Sequence, residues 1–306
     1  MNKPRIVFAG TPEFALASLT ALVDAGRVPV AVYTQPDRPA GRGRRTSASP
    51  VKIYAIQQGM PVFQPQSLRD DRAAADLASL RPDLLIVAAY GLILPQNVLD
   101  IPTATCINVH ASILPRWRGA APIQAAILAG DRTTGISLMR MTAGLDCGPV
   151  FSIRSVDIGD DESAGELHDR LAVLGGELLV ADLGRIISGD LQPVEQDDTA
   201  ATYAGKIRKQ DAEIDWTHSA EALHRHIRAY NPVPGAFFFT DQSVRVKVWH
   251  ATVVSSVNAR PGSFIQYDKD GIVVACGTGG LRLDTLQLPG KRRADAREFV
   301  SQISLS

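Results

Sequence analysis

The sequence predicts an α/β protein built on a doubly wound, mostly parallel sheet, with a smaller β-barrel domain toward its C-terminal end. Three observations predict it. Apolar runs of strand length alternate with amphipathic stretches of helical period over the first two-thirds of the chain. Residues 83–89, DLLIVAA, form a nearly continuous apolar run, the mark of a strand buried on both faces of a parallel sheet. Beyond about residue 190 the texture changes to short β-rich runs broken by Gly, Asp and Asn.

Taken in order, residues 5–9 read as a buried strand. Residues 12–25 are amphipathic through Phe14, Leu16, Leu19, Leu22 and Val23, and Gly26 stands where a helix would stop. Residues 28–33 form the next strand, and 51–58 and 69–80 suit helices. A short strand at 105–109 leads to a helix at 120–128, strands at 135–141 and 150–156, and a long helix at 163–188 closed by Gly189. Strands alternating with helices imply βαβ units in a parallel sheet. Residues 190–203 are polar with few periodic apolar positions and read as a linker. A helix at 219–229 precedes β-rich runs at 236–239, 244–249, 262–267, 272–275 and 281–286. Short strands at this spacing suggest a small barrel, either an OB-like nucleic-acid binder or a generic structural barrel. The expected division is a first domain at 1–189, a linker at 190–207 and an OB-like domain at 208–306.

Composition narrows the class. A chain of 306 residues exceeds what one core usually serves, which favours two domains. Apolar residues at 45% and charged residues at 21% fit a soluble globular protein. No apolar run approaches the length of a membrane span. The run at 6–9 is too short for a signal peptide, so no membrane association is expected and the cytoplasm is the expected location. A monomer is expected. The 3 cysteines, Cys106, Cys147 and Cys276, are odd in number with no paired spacing, so each is expected to be a buried, inert thiol. The formal charge is zero overall but splits into −4 over residues 1–202 and +4 over 203–306.

Chemistry concentrates in Asn108-Val109-His110-Ala111-Ser112-Ile113-Leu114-Pro115-Arg116-Trp117-Arg118-Gly119. It begins at the end of a strand, where side chains at i and i+2 point the same way. Asn108 and His110 should therefore face one crevice at the carboxyl end of the sheet, where open α/β sheets bind ligands. An amide N–H and an imidazole N–H aimed together can stabilise the oxyanion of acyl transfer. A second motif, Met141-Thr142-Ala143-Gly144-Leu145-Asp146-Cys147-Gly148-Pro149, is a tight loop between two strands. Asp in such a loop is most often a turn residue. Beside the first motif, Asp146 becomes a candidate to orient His110 and move protons.

These motifs, Asn108-x-His110 with the SILPRWRG run and the later Asp146, resemble the folate-dependent formyltransferases, a group spanning glycinamide ribonucleotide, sugar-nucleotide and methionyl-tRNA enzymes. Three stretches resemble the methionyl-tRNA branch: Phe8-Ala9-Gly10-Thr11-Pro12-Glu13-Phe14-Ala15; the run from Gln35-Pro36-Asp37 to Arg44-Arg45; and Tyr203-Ala204-Gly205-Lys206-Ile207 with Ala212-Glu213-Ile214-Asp215-Trp216 after it. The resemblance covers nearly the whole chain. Ile113 and Trp117 depart from it, where Leu and Tyr are usual.

The resemblance implies a Rossmann-like catalytic domain that moves a formyl group from 10-formyltetrahydrofolate to the amine of methionyl initiator tRNA, giving N-formylmethionyl-tRNA for translation initiation. It also implies roles. Asn108 and His110 would polarise the formyl oxygen, and Asp146 would hold the imidazole and manage the proton. The folate would lie against Ser112, Ile113, Leu114 and Pro115 and in a slot formed by Tyr90, Gly91 and Leu92. No metal is implied, and the chain has no G-x-x-x-x-G-K-[ST], no H-E-x-x-H and no complete G-x-G-x-x-G after the first strand.

The run from Arg38 to Lys52 holds Arg38, Arg42, Arg44, Arg45 and Lys52 with no acid, and Gly41 and Gly43 keep it irregular. A charged run is usually a solvated loop. Following the second strand, it is also placed to grip an RNA end, with Arg42 central and Lys206 adding a phosphate contact. His224-x-His226 is no metal pair, because i and i+2 on a helix face apart. Competing readings are a formyltransferase for a small amine, a non-catalytic RNA-binding protein on an old enzyme fold, and a hydrolase that releases formate.

Overall fold

A computed structural model describes residues 3–40 and 45–300. The chain divides into two compact units: one of residues 1–119, 133–156 and 168–204, the other of 120–132, 157–167 and 205–306.

In chain order the elements begin with β1 (Ile6–Gly10), α1 (Glu13–Asp24), β2 (Ala31–Tyr33) and a hairpin of β3 (Arg38–Ala40) and β4 (Arg45–Ser47). Next come α2 (Pro50–Gln57), β5 (Val62–Phe63), α3 (Asp71–Ser79), β6 (Leu84–Ala88), α4 (Gln96–Leu99) and β7 (Thr105–His110). β8 (Arg118–Gly119), α5 (Pro122–Ala129), β9 (Thr133–Arg140), β10 (Val150–Asp157), α6 (Ala164–Ser188) and β11 (Tyr203–Ala204) follow. The remainder is α7 (Ala220–Ala229), β12 (Phe237–Phe239), β13 (Arg245–Val254), β14 (Phe264–Asp268), β15 (Gly271–Ala275), β16 (Gly280–Gln287) and β17 (Ala294–Asp295).

The first unit is organised by a seven-stranded sheet in the order β10-β9-β7-β6-β1-β2-β5. β1 pairs in parallel with β2 and β6, β6 with β7, and β2 with β5, while β9 runs antiparallel to β7. This is the mostly parallel, doubly wound sheet that the alternation predicts. β1 and β6 are buried along their whole length, which is why they carry unbroken apolar runs instead of alternation. Val7, Ala9, Leu85 and Val87 pack on one face with Leu77 and Val98 of the helices. Helix starts follow local capping chemistry: Ser49 accepts from Lys52 N at α2 and Asp70 from Arg72 N at α3.

The second unit is an antiparallel sheet, β12-β13-β16-β15-β14, with β17 added to β16. Its strands alternate: Val246, Val248 and Ala251 of β13 and Leu281, Leu283 and Leu286 of β16 enter one core with Leu223 and Ile227 of α7. This architecture fits an OB-like domain. Ser219 caps α7 by accepting from Ala222 N. Among the described residues no helix is long and apolar enough to cross a membrane.

Candidate active site

The sheet order turns about β1, which has β2 on one side and β6, then β7, on the other. At such a turn the connections leave on opposite faces and open a crevice at the carboxyl ends of the strands. Thr11, just past β1, donates from Oγ1 to the Tyr90 carbonyl at 3.0 Å, and Gln35, past β2, donates to the same oxygen at 2.9 Å. These bonds tie together the three loops that border the crevice.

Asn108 and His110 leave the end of β7 two residues apart, hence on one side. Asp146 comes from the loop between β9 and β10. Its carboxylate accepts from Asn108 Nδ2 at 3.3 Å and from the Gly119 backbone N–H at 2.9 Å. The oxygen bonded to Gly119 also stands 3.7 Å from His110 Nδ1. His110 Nε2 lies 3.0 Å from the Trp117 carbonyl oxygen. A carbonyl only accepts, so Nε2 carries a hydrogen and Nδ1 is the nitrogen turned toward the carboxylate. Amide, imidazole and carboxylate from separate stretches of chain thus meet in one cluster. His110 is 6% exposed and Asp146 17%, so the imidazole is nearly dry while the carboxylate keeps a wet edge.

The cluster is held by an unusual backbone. Trp117 has φ 62° and Asp146 φ 49°, both in the left-handed region that non-glycine residues seldom occupy. Each presents a group to the cluster, Trp117 its carbonyl and Asp146 its carboxylate. The loop before Trp117 is fixed by its own Ser112 and by Ser137 of β9. Ser112 Oγ donates to the Arg116 carbonyl at 2.6 Å, and Ser137 Oγ donates to the Ser112 carbonyl at 2.7 Å while accepting from Leu114 N at 3.1 Å.

The residues expected to hold a folate fall into two groups. Gly91, Leu92, Ile113 and Pro115 keep partly or fully exposed positions along the crevice loops. Gly91 has φ 80°, and a Cβ there would run into the Gln35 amide. Leu92 and Met141 each pack, partly buried, against the core, and Ile93 and Leu145 are 67% and 63% exposed. Ser112, Leu114 and Tyr90 are buried instead. The Ser112 hydroxyl turns inward to its own loop, Leu114 enters the interior, and the Tyr90 ring lies in the core with Tyr33. Desolvation raises the Tyr90 phenol above its usual range. Tyr90 therefore offers the crevice its backbone, not its ring.

Two of the residues expected to contact RNA have described side chains. Arg38 is exposed at the start of β3 and Lys206 is exposed beyond β11. Gly41, Arg42, Gly43 and Arg44 lie outside the described residues, as does the side chain of Arg45. Lys52, grouped with that basic run by sequence, is tied down: its Nζ is 2.6 Å from Asp37 and 2.8 Å from Gln64 Oε1. That bond is the main reason the Asp37 carboxyl titrates below its ordinary value. Sequence reasoning missed a basic groove in the second unit, lined by Arg208, Lys209, Arg245 and Lys247 with Ile207 and Val233. Burial, and then the positive charges of Arg245, Arg293 and Lys209, lower the Lys247 pKa. Alternation along β13 brings Arg245 and Lys247 to one face, and that is the signal that could have found them. Among the described residues no group of three or more His, Cys, Asp and Glu could hold a metal. Cys106 and Cys276 are buried, as expected, but Cys147 is only half-buried, with Sγ 3.5 Å from Thr142 Oγ1. The glycine-flanked loop leaves its thiol at the surface.

Known proteins resemble the chain over its full length. Residues 4–183 match the family described as "Formyl transferase", and residues 206–304 match "Formyl transferase, C-terminal domain". The methionyl-tRNA formyltransferase of Methylococcus capsulatus is 52% identical over 303 residues, 99% of this chain and 98% of its own length. The methionyl-tRNA formyltransferase of Stutzerimonas stutzeri is 53% identical over 291 residues, 95% of this chain and 92% of its own. Among solved structures, WlaRD, a sugar 3N-formyl transferase crystallised with dTDP and 5-N-formyl-THF, superposes with TM-score 0.69 at 15% identity over 95% of this chain and 100% of its own. HypX from Aquifex aeolicus, in complex with tetrahydrofolic acid, gives TM-score 0.67 at 16% identity, covering 100% of this chain and 49% of HypX. This chain thus spans about half of HypX. At such identities these two likenesses speak for the fold alone. The full-length relatives and the two matched domains, in order, show that the chain belongs to the methionyl-tRNA formyltransferase family.

Proposed function

We propose that this protein transfers the formyl group of 10-formyltetrahydrofolate to the free amino group of methionyl initiator tRNA, giving N-formylmethionyl-tRNA. The observation that carries this reading is the convergence of Asn108, His110 and Asp146 at the carboxyl end of the sheet. The crevice suits a flat heteroaromatic ring: half-buried Leu92 and Met141 give apolar walls, and backbone groups of the Tyr90–Leu92 loop give polar edges. When bound there, the folate supplies a formyl carbon already activated for attack.

The rest of the chemistry belongs to the chain. The Asn108 amide and the His110 Nδ1–H of an imidazolium donate to the negative charge that develops on the formyl oxygen. Asp146 stabilises that imidazolium and accepts the proton released as the amine nitrogen bonds to carbon. The proton leaves, through water at the exposed edge of Asp146, to the nitrogen that loses the formyl group. The attacking α-amino group has a pKa near roughly 7.7–8.0 before its ester neighbour lowers it, so a large neutral fraction exists without a dedicated strong base.

Recognition of the tRNA is assigned to cations. Arg38, Arg42, Arg44 and Arg45 flank Gly41 and Gly43 in the first unit, and Lys206 leads into the groove of Arg208, Lys209, Arg245 and Lys247 in the second. Four cations lining one groove favour a polyanionic partner. Location in the cytoplasm and a monomeric state belong to the same proposal, because aminoacyl-tRNA is a substrate of translation.

The test is formylation of methionyl-tRNA with 10-formyltetrahydrofolate. Asn108→Ala should slow turnover by on the order of 10²–10³ with the fold intact, as expected for loss of one oxyanion donor. Affinity for tRNA should fall steeply with salt as counterions are released. Formate release without tRNA at the rate of turnover, or transfer to a small amine with equal efficiency, would overturn the assignment.

A further inference from the structure

Residues 196–204 read as linker, yet they grip both loops of the catalytic cluster. Gln196 spends both amide hydrogens on one turn: Nε2 donates to the Asp146 carbonyl at 2.9 Å and to the Gly148 carbonyl at 2.7 Å. Its Oε1 accepts from Arg118 Nε at 3.0 Å. Arg118 is 3% exposed and its other arm donates to Asp198 at 2.7 Å. Farther along, Thr202 accepts twice, from Trp117 N at its hydroxyl and from Arg118 N at its carbonyl, both at 2.9 Å. β8 and β11 then pair in parallel, Arg118 with Tyr203 and Gly119 with Ala204.

These bonds matter because of what the two loops carry. One loop supplies the Trp117 carbonyl that holds His110 and the Gly119 N–H that holds Asp146. The other supplies Asp146 itself, in a left-handed conformation within a loop whose residues 142–145 are exposed. The exposed residues 142–145 contribute little packing to hold a strained turn. A side-chain amide that ties two of its carbonyls to a buried guanidinium does so.

We propose that Gln196 is a positioning residue for the formyl-transfer reaction, clamping the Asp146 turn to the Arg118 loop so that the carboxylate stays between Asn108, His110 and Gly119. This rests on the function proposed above. Gln196 touches no reacting atom; it acts through Asp146.

The experiment uses the full-length protein and three variants. Gln196→Met keeps length without donors, Gln196→Glu sets a carboxylate against two carbonyls, and Gln196→Asn keeps donors that cannot reach both carbonyls. Loss of one bonded amide should lower kcat by roughly 10–100-fold for Met and Glu, less for Asn, with KM for folate and tRNA changed less than about threefold. In an Asp146→Asn background, adding Gln196→Met should cost less than about threefold more, because both substitutions remove one function. Exchange of the Gly119 amide, whose acceptor is Asp146, should quicken by about tenfold in Gln196→Met whether or not the protein is active. Wild-type kinetics in all three variants, fully multiplicative losses in the double variant, or an unchanged Gly119 amide would overturn the clamp. A wild-type protein that formylates nothing would sink the proposed function instead, leaving the exchange result to judge the clamp.

Discussion

Replacing Asp146 by Asn keeps the shape of the side chain while removing its charge and one of its two accepting oxygens. The structure sets what that costs. The Gly119 N–H bond at 2.9 Å is shorter than the Asn108 bond at 3.3 Å, so the single remaining oxygen should stay with Gly119. The new NH2 then faces the Asn108 NH2, donor against donor, and Asn108 loses the partner that aims it. A hydrogen bond to a charged group contributes about 1.5–3 kcal/mol. The second effect is the charge 3.7 Å from His110 Nδ1. Against the imidazolium of the proposed transition state, a charge at that range near a protein surface is worth about 4 kcal/mol, and the wet edge of Asp146 should screen it to about half. The two effects together amount to about 4 kcal/mol, or a loss of about 10³ in kcat. Single-turnover formylation at saturating folate isolates the chemical step, with melting temperature as the control for folding. A loss under about tenfold in a folded variant would show that neither the Asn108 bond nor the carboxylate charge acts in the transition state.

Two further outcomes follow from the same geometry. Gly119 has φ 117° and a Cβ there would sit 2.5 Å from the Ala204 carbonyl oxygen, so Gly119→Ala must part β8 from β11. It should cost about 2–3 kcal/mol and lower Tm by about 5 °C or more, while slowing catalysis through the displaced N–H; an unchanged Tm would contradict the close approach. His224 and His226 both have lowered pKa values, chiefly from burial, and the His226 ring packs edge-on against Tyr230 at 4.7 Å with Nε2 lacking a partner among the described residues. The unfolded chain takes up protons near its ordinary value of about 6.5 while the folded protein resists. Stability of the second unit is therefore full above about pH 6.5 and falls as pH drops toward the folded values. Denaturant unfolding at pH 7.5 and 5.5 should show a loss of roughly 1 kcal/mol that His226→Gln reduces. Equal stability at the two pH values would refute it.

The sheet and the shared side of Asn108 and His110 were legible because their signals are local. The apolar stretch at 83–89 becomes β6, buried on both faces, and the i, i+2 spacing puts Asn108 and His110 on one side of β7. Spacing also separated His224 from His226 correctly: one reaches Asp161 and the other packs on Tyr230. Apolarity alone could not say which way Tyr90 turns, since a ring beside a crevice and a ring in the core share one pattern. The short β5 and the β3–β4 hairpin escaped for a related reason, having two or three residues each and no room for a period to show.

The polar stretch at 190–203 is the instructive case. Gln196, Asp198 and Thr202 sit in a polar stretch without periodicity, and their partners lie 50, 80 and 85 residues back along the chain. A hydrogen bond of that reach leaves no spacing behind it. Polarity in such a stretch has two physical origins, solvent or a specific partner, and composition cannot separate them. What separates them is the demand made elsewhere. Arg118 stands in the run that begins at Asn108, and a buried guanidinium requires acceptors. The motif supplies no carboxylate of its own near it. The acceptors therefore had to come from another part of the chain, and the acid-rich, apolar-poor end of the first unit is where they are found. An unsatisfied requirement in a motif is thus a pointer to the segment that meets it, and here that segment also fixes the turn on which the carboxylate stands.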